Sequence, residues 1–116
     1  MSSAATNSTL STHILNLDEG APAQGVLVEL RGTNSAGDAG TVLGKNHTDA
    51  DGRASDWPEL TAGTYELTFA IGEWFKARNQ RCFYPRVRIE FMVDDQRHYH
   101  VPLLLNKFGF SSYRGS

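Results

Sequence analysis

The sequence predicts an all-β domain, an antiparallel β-sandwich of seven or eight short strands with one short helix. Three observations predict it. Apolar and polar residues alternate with a period of two through most of the chain, the pattern of strands with one buried face. Turn signals rich in Gly, Asp, Asn and Ser recur between those runs. A single segment combines good helix formers with a lack of alternation.

Met1 to Thr9 is polar, with no basic region followed by an apolar stretch, and reads as a flexible N-terminal tail rather than a signal peptide. Leu10 to Leu17 opens the domain as a strand. It places His13, Leu15 and Leu17 on one face and Thr12, Ile14 and Asn16 on the other. Asp18-Glu-Gly20 turns the chain into the Gly25 to Arg31 strand, whose Val26, Val28 and Leu30 share a face. The Gly32 to Gly40 stretch reads as a turn region. Asp51-Gly52 is a two-residue hairpin signal, because both positions tolerate positive φ, and it should join a strand ending near Thr48 to one starting near Arg53. Thr64 to Ala70 alternates with Tyr65, Leu67 and Phe69 on one side. Gly72 to Gln80 is the helix, about two turns long. Arg86 to Val93 returns to strand, with Val87, Ile89, Phe91 and Val93 facing one way. Arg97 to Leu105 follows, His98 and His100 on one face and Tyr99, Val101, Leu103 and Leu105 on the opposite one.

With 116 residues, 40% of them hydrophobic and 21% charged, the chain makes one globular domain, residues 10–116, with a modest core that subunit contacts can supplement. The balance of 11 Lys and Arg against 13 Asp and Glu leaves a net charge of −2 and no clustered basic surface, so nucleic acid is excluded as a partner. No uninterrupted apolar run exceeds three residues, Leu103 to Leu105 being one such run, far short of a membrane span. One cysteine, Cys82, allows neither an internal disulfide nor a thiolate cluster; beside Phe83 it reads as a small buried hydrophobe. A cytoplasmic location is expected.

The chain has four histidines, the residue type whose ordinary pKa lies nearest neutrality. His98 and His100 project together from one strand, either as a polar solvent face or as a metal-chelating pair, although no further ligand stands at a matching spacing. His13 lies with Leu15 and Leu17, as a core-edge histidine or a functional one. His47, in a polar run, reads as exposed. At the C-terminus, Phe108 and Phe110 give an otherwise polar tail the means to dock, and Gly115 lets its last residues turn. Phosphate-loop, Gly-x-Ser-x-Gly and His-Glu-x-x-His motifs do not occur.

Leu10-Ser-Thr-His-Ile-Leu-Asn16, Thr48-Asp-Ala-Asp-Gly-Arg53, His98-Tyr-His-Val-Pro-Leu-Leu-Leu105 and the terminal Tyr113-Arg-Gly-Ser116 together resemble the 5-hydroxyisourate hydrolases of the transthyretin-like family. Gly20-Ala-Pro-Ala-Gln-Gly-Val26, Gly63-Thr-Tyr-Glu-Leu67 and Phe83-Tyr-Pro85 extend the match over nearly the whole chain. The resemblance implies an eight-stranded sandwich, a homotetramer with active sites at a dimer interface, and no cofactor or metal. It implies hydrolysis of 5-hydroxyisourate, the product of urate oxidation, to 2-oxo-4-hydroxy-4-carboxy-5-ureidoimidazoline. The catalytic residues carried over are His13, Arg53, His100 and Ser116. Tyr113, Arg114, Gly115 and His98 are implied substrate contacts, His98 as a neighbour of the site rather than its centre. Gly32 to Thr41 and Ala54 to Glu59 match no motif. The rival readings are a transthyretin-type carrier of a hydrophobic ligand, which lacks the Tyr-Arg-Gly-Ser end, and a zinc hydrolase built on His98 and His100.

Opening a cyclic amide needs an activated water, a polarised carbonyl and a proton for the leaving nitrogen. His13 and His100 suit the proton transfers, Arg53 the oxygens of a planar heterocycle, and the Ser116 hydroxyl the water or the substrate.

Overall fold

The computed structural model describes residues 7–34 and 36–115. In order they form β1 (Thr9–Asn16), β2 (Ala21–Pro22), β3 (Leu27–Thr33), β4 (Ala39–His47), β5 (Arg53–Ala54), β6 (Gly63–Phe69), α1 (Ile71–Ala77), β7 (Val87–Val93), β8 (His98–Leu105) and β9 (Phe110–Ser112). The described residues thus hold nine strands, one more than the eight expected, and two of them, β2 and β5, are pieces of two residues. One sheet runs β2-β1-β8-β9 with β5 added against β1, and the other runs β4-β3-β6-β7. A common core joins them: Leu10 and Ile14 of β1 and Val101, Leu103 and Leu105 of β8 meet Val28, Leu30, Leu67, Phe69 and Val87 of the second sheet.

Alternation places most of these residues as the sequence expects. Val26, Val28 and Leu30 are buried, as are Tyr65, Leu67 and Phe69. In α1 Ile71 and Phe75, four residues apart, share the buried face. Gly72 is drawn against Pro85, where an added Cβ would stand 2.6 Å from the Pro85 carbonyl oxygen.

Three expectations need correction, and one choice that the sequence left open is settled. The sandwich is antiparallel except for β1 and β8, which pair in parallel over their whole length because the chain between them builds the second sheet before returning. In β1 the inward face is Leu10, Thr12, Ile14 and Asn16, while His13 and Leu15 point out. Leu10 decides this, since Leu17 lies beyond the strand and is exposed; Thr12 is accommodated inside by donating its hydroxyl to the Val101 carbonyl. Asp51-Gly52 does make the expected tight turn, with Gly52 at φ +75°, yet β4 and β5 do not form a hairpin. The strand before the turn pairs with β3 in one sheet and β5 crosses to β1 in the other. Lastly, Ser8 and Thr9, assigned to the N-terminal tail, pair in the sheet, Ser8 bridging Leu60.

Candidate active site

The outward face of the β5-β1-β8 sheet collects the histidines, and register alone sets their grid. Arg53 of β5 stands opposite His13 of β1, and His13 stands beside Pro102 of β8. One step along, Ser11 of β1 pairs with His100 of β8, and Thr9 pairs with His98. Neighbouring strands lie about 4.8 Å apart and same-face residues about 6.6 Å apart along a strand, so His13 and His100 sit on one diagonal, about 8 Å between their Cα atoms.

The Thr48 to Arg53 motif builds the Arg53 corner. Buried Thr48 accepts the Val26 N–H at 2.9 Å and donates its hydroxyl to the Ala23 carbonyl at 2.6 Å. Asp49 Oδ1 accepts the Asp51 and Arg53 N–H groups at 2.9 and 3.0 Å. Gly52 is pressed under β1: its carbonyl accepts the Ile14 N–H at 2.7 Å, and an added Cβ would lie 2.5 Å from the Ile14 oxygen. Glycine is required there twice over, by positive φ and by backbone on the side where a Cβ would project.

The tail forms the other border. After β9, Gly115 rejoins β8, donating its N–H to the His100 carbonyl at 2.9 Å. The pairing keeps the register of β9 and is interrupted opposite Pro102, which has no N–H to offer the ladder. Alternation turns Gly115 to the face of His100 and Arg114 to the other. A Cβ at Gly115 would run into His100 Cδ2 and lie 3.2 Å from Cγ. Arg114 instead stacks its guanidinium 4.4 Å from the centre of the Tyr99 ring. The Tyr99 hydroxyl is held by Asp95, and that hydrogen bond, helped by Arg97 and Arg114, keeps the Asp95 carboxyl below its ordinary range against the opposing effect of desolvation. Tyr113 is exposed. Phe110 packs edge-on against Tyr84, ring centres 5.2 Å apart, while Phe108 is exposed. Ser116 lies outside the described residues.

Ser11 was missed by the sequence reading, although it stands two residues before His13 on the same face. Its Oγ lies 2.7 Å from His100 Nδ1 and 2.8 Å from His98 Nε2, and Thr9 Oγ1 lies 2.7 Å from His98 Nδ1. The two imidazoles are nearly parallel, 6.4 Å apart. His100, half-buried, has its pKa lowered from 6.5, first by burial and then by the nearby His98, Arg53 and His13. It is therefore neutral near pH 7. Its Nε2 has no partner among the described residues, leaving that lone pair or proton for a ligand. Both nitrogens of His98 are already engaged, so chelation of a metal by the His98 and His100 pair would break these bonds. Among the described residues no three His, Cys, Asp or Glu side chains converge to hold a metal ion.

His47 is exposed and away from this face, in β4 of the other sheet. Cys82 is half-buried against the core. It lines a cavity of about 630 Å³ together with Leu27, Glu29, Thr68, Lys76 and Arg86, flanking α1 rather than the histidines. No helix among the described residues is long and apolar enough to cross a membrane.

Residues 10–115 match the HIUase/Transthyretin family. The chain is 43% identical over 120 aligned residues to a 5-hydroxyisourate hydrolase of Salmonella dublin, covering 100% of this chain and 87% of that protein. It is similar to the solved 5-hydroxyisourate hydrolase of Klebsiella pneumoniae, 39% identical with a TM-score of 0.85, over 94% of this chain and 99% of that one. A sea bream transthyretin solved with thyroxine has the same TM-score of 0.85 at 23% identity, over 92% of this chain and 94% of that one, a likeness of fold alone.

Proposed function

The chain belongs to the HIUase/transthyretin family, and from that premise we propose that it hydrolyses 5-hydroxyisourate to 2-oxo-4-hydroxy-4-carboxy-5-ureidoimidazoline in urate breakdown. One observation carries the reading. Register brings His13, Arg53 and His100 onto a single sheet face, with the Gly115 backbone against the His100 ring. A carrier of a hydrophobic ligand has no need of two imidazoles and a guanidinium converging in this way.

In the reaction water adds to the amide carbonyl carbon, the carbonyl π pair moves to oxygen, and the C–N bond breaks as nitrogen takes up a proton. His100 is the base: neutral, held at Nδ1 by Ser11, it receives the water proton at Nε2. Arg53 offers a planar fork to the ring oxygens and to the charge that builds on the carbonyl oxygen. His13, next to Arg53, gives the proton to the leaving nitrogen. Tyr113, on the open side of the tail, contacts the substrate. The Ser116 hydroxyl is assigned to the water or the substrate on the family motif alone.

The sites lie at a dimer interface of a homotetramer in this reading. The histidine face is open in a single chain, and Phe83, Met92, Phe108 and Tyr113 are 73%, 70%, 74% and 59% exposed, apolar surface that a partner would cover. Analytical ultracentrifugation measures that mass directly. A cytoplasmic location belongs to the same reading and is checked by cell fractionation.

The test is to generate 5-hydroxyisourate from urate with urate oxidase and follow its ultraviolet decay. Added protein accelerates the decay, and His100→Asn or His13→Asn lowers turnover by a factor of about 100 or more. A decay no faster than the spontaneous rate overturns the proposal.

A further inference from the structure

Four side chains on the outer face form one continuous hydrogen-bonded line: Thr9, His98, Ser11 and His100, with contacts of 2.7, 2.8 and 2.7 Å. They alternate hydroxyl and imidazole. A hydroxyl has one proton to donate and lone pairs to accept, and a neutral imidazole has one nitrogen of each kind. All three bonds are made with the Ser11 proton also engaged only when every donor points the same way along the line.

Two such arrangements exist. In the first, Thr9 donates to His98 Nδ1, His98 Nε2–H donates to Ser11, and Ser11 donates to His100 Nδ1, so His100 carries its proton on Nε2. In the second every bond is reversed. His100 Nδ1–H donates to Ser11, Ser11 donates to His98 Nε2, His98 Nδ1–H donates to Thr9, and His100 Nε2 is a lone pair. An arrangement in which Ser11 accepts from both rings leaves its own proton without a partner among the described residues.

We propose that Ser11 and His98 are a proton relay that sets the tautomer of His100 and connects it to solvent at Thr9. His98 is then a positioning residue and not a substrate contact. The proton balance is explicit. When Nε2 of His100 takes a proton, the Nδ1 proton passes to Ser11, that of Ser11 to His98 Nε2, that of His98 Nδ1 to Thr9, and the hydroxyl proton of exposed Thr9 leaves to water. The reverse passage reloads the Nε2 lone pair. His100 gains no net charge in either direction.

This economy suits its surroundings. His98 on β8, His13 on β1 and Arg53 on β5 all disfavour a cation at His100, as does burial, and the Gly115 backbone holds the ring from the tail side. Exposed Thr9 at the start of β1 is the point where the line meets water.

The inference rests on the proposed hydrolase reading for its purpose, yet its first test needs no substrate. Long-range ¹H–¹⁵N correlation of the imidazole nitrogens reports tautomers in the free protein at a pH where both rings are neutral. His98 and His100 should show equal Nδ1–H fractions, and Ser11→Ala should make the two fractions differ. Ser11→Ala should also lower kcat about tenfold, the value of roughly one hydrogen bond, with KM within twofold and with recovery in Ser11→Thr. His98→Asn should lower kcat and spare KM. Unequal fractions in the wild type, or a His98→Asn variant whose loss lies in KM, overturn the relay. An inactive wild type whose tautomers are matched overturns the hydrolase reading alone.

Discussion

Gly115→Ala tests whether the tail sets the position of the His100 ring. A Cβ there would overlap His100 Cδ2 and lie 3.2 Å from Cγ and 3.4 Å from Cβ. Non-bonded carbons settle about 3.5–4.0 Å apart, so the imidazole must retreat by about 1 Å or the tail must lift away. A displacement of about 1 Å in a proton-transfer group costs about 100-fold in kcat/KM, or about 2.7 kcal/mol of transition-state stabilisation. Stability should hardly change, because Gly115 is half-buried and contributes one backbone hydrogen bond of 2.9 Å, about 1 kcal/mol at most. The assay pairs 5-hydroxyisourate decay with urea unfolding of the same preparation. A variant that keeps kcat/KM within a few-fold of the wild type refutes the reasoning. So does one that loses activity only in step with a large loss of stability, since the fold rather than the ring position would then be at stake.

The acid limb of kcat/KM should fall below pH 6.5: a lowered imidazole pKa keeps His100 in its basic form to lower pH, and activity is lost as pH drops through that lowered value. The same sign makes protonation easier in the unfolded chain, so this residue lowers stability as pH falls below 6.5; Arg53→Gln should move the His100 titration upward in an NMR series. Gly52→Ala places a Cβ 2.5 Å from the Ile14 oxygen at φ +75°, between backbone atoms that have little room to yield, and should cost about 1–3 kcal/mol in urea unfolding while displacing Arg53 and reducing turnover. Tyr99→Phe leaves the Asp94 and Asp95 N–H groups without their acceptor; it should cost about 1–2 kcal/mol and raise the Asp95 pKa, read by carboxylate NMR.

Much of the site was legible because a strand side chain's direction depends only on its own backbone. His98 and His100 had to share a face, away from Val101 and Leu103, and they do. The motif at Thr48 to Arg53 announced a tight turn with Gly at its positive-φ position, and that turn is present. His13 was harder. Its face had two candidate apolar sides, and the choice turned on burial of Leu10 and on a polar Thr12 that finds a carbonyl inside the sandwich. Local alternation could not rank those sides.

The sequence by itself determined the period of β1, β3, β6, β7 and β8, the tight turn at Asp51-Gly52 and, through its motifs, the family. Only the tertiary structure decided which strands became neighbours. β5 leaves the sheet of β4 to place Arg53 opposite His13, and the parallel pairing of β1 with β8 sets Ser11 against both histidines. The register of the tail turns Gly115 toward His100 and Arg114 toward Tyr99. The physical reason is the range of the forces involved. Alternation is set within a few residues by backbone geometry, whereas strand pairing is chosen by the burial of one shared core and the closure of long loops, which no local stretch of sequence encodes.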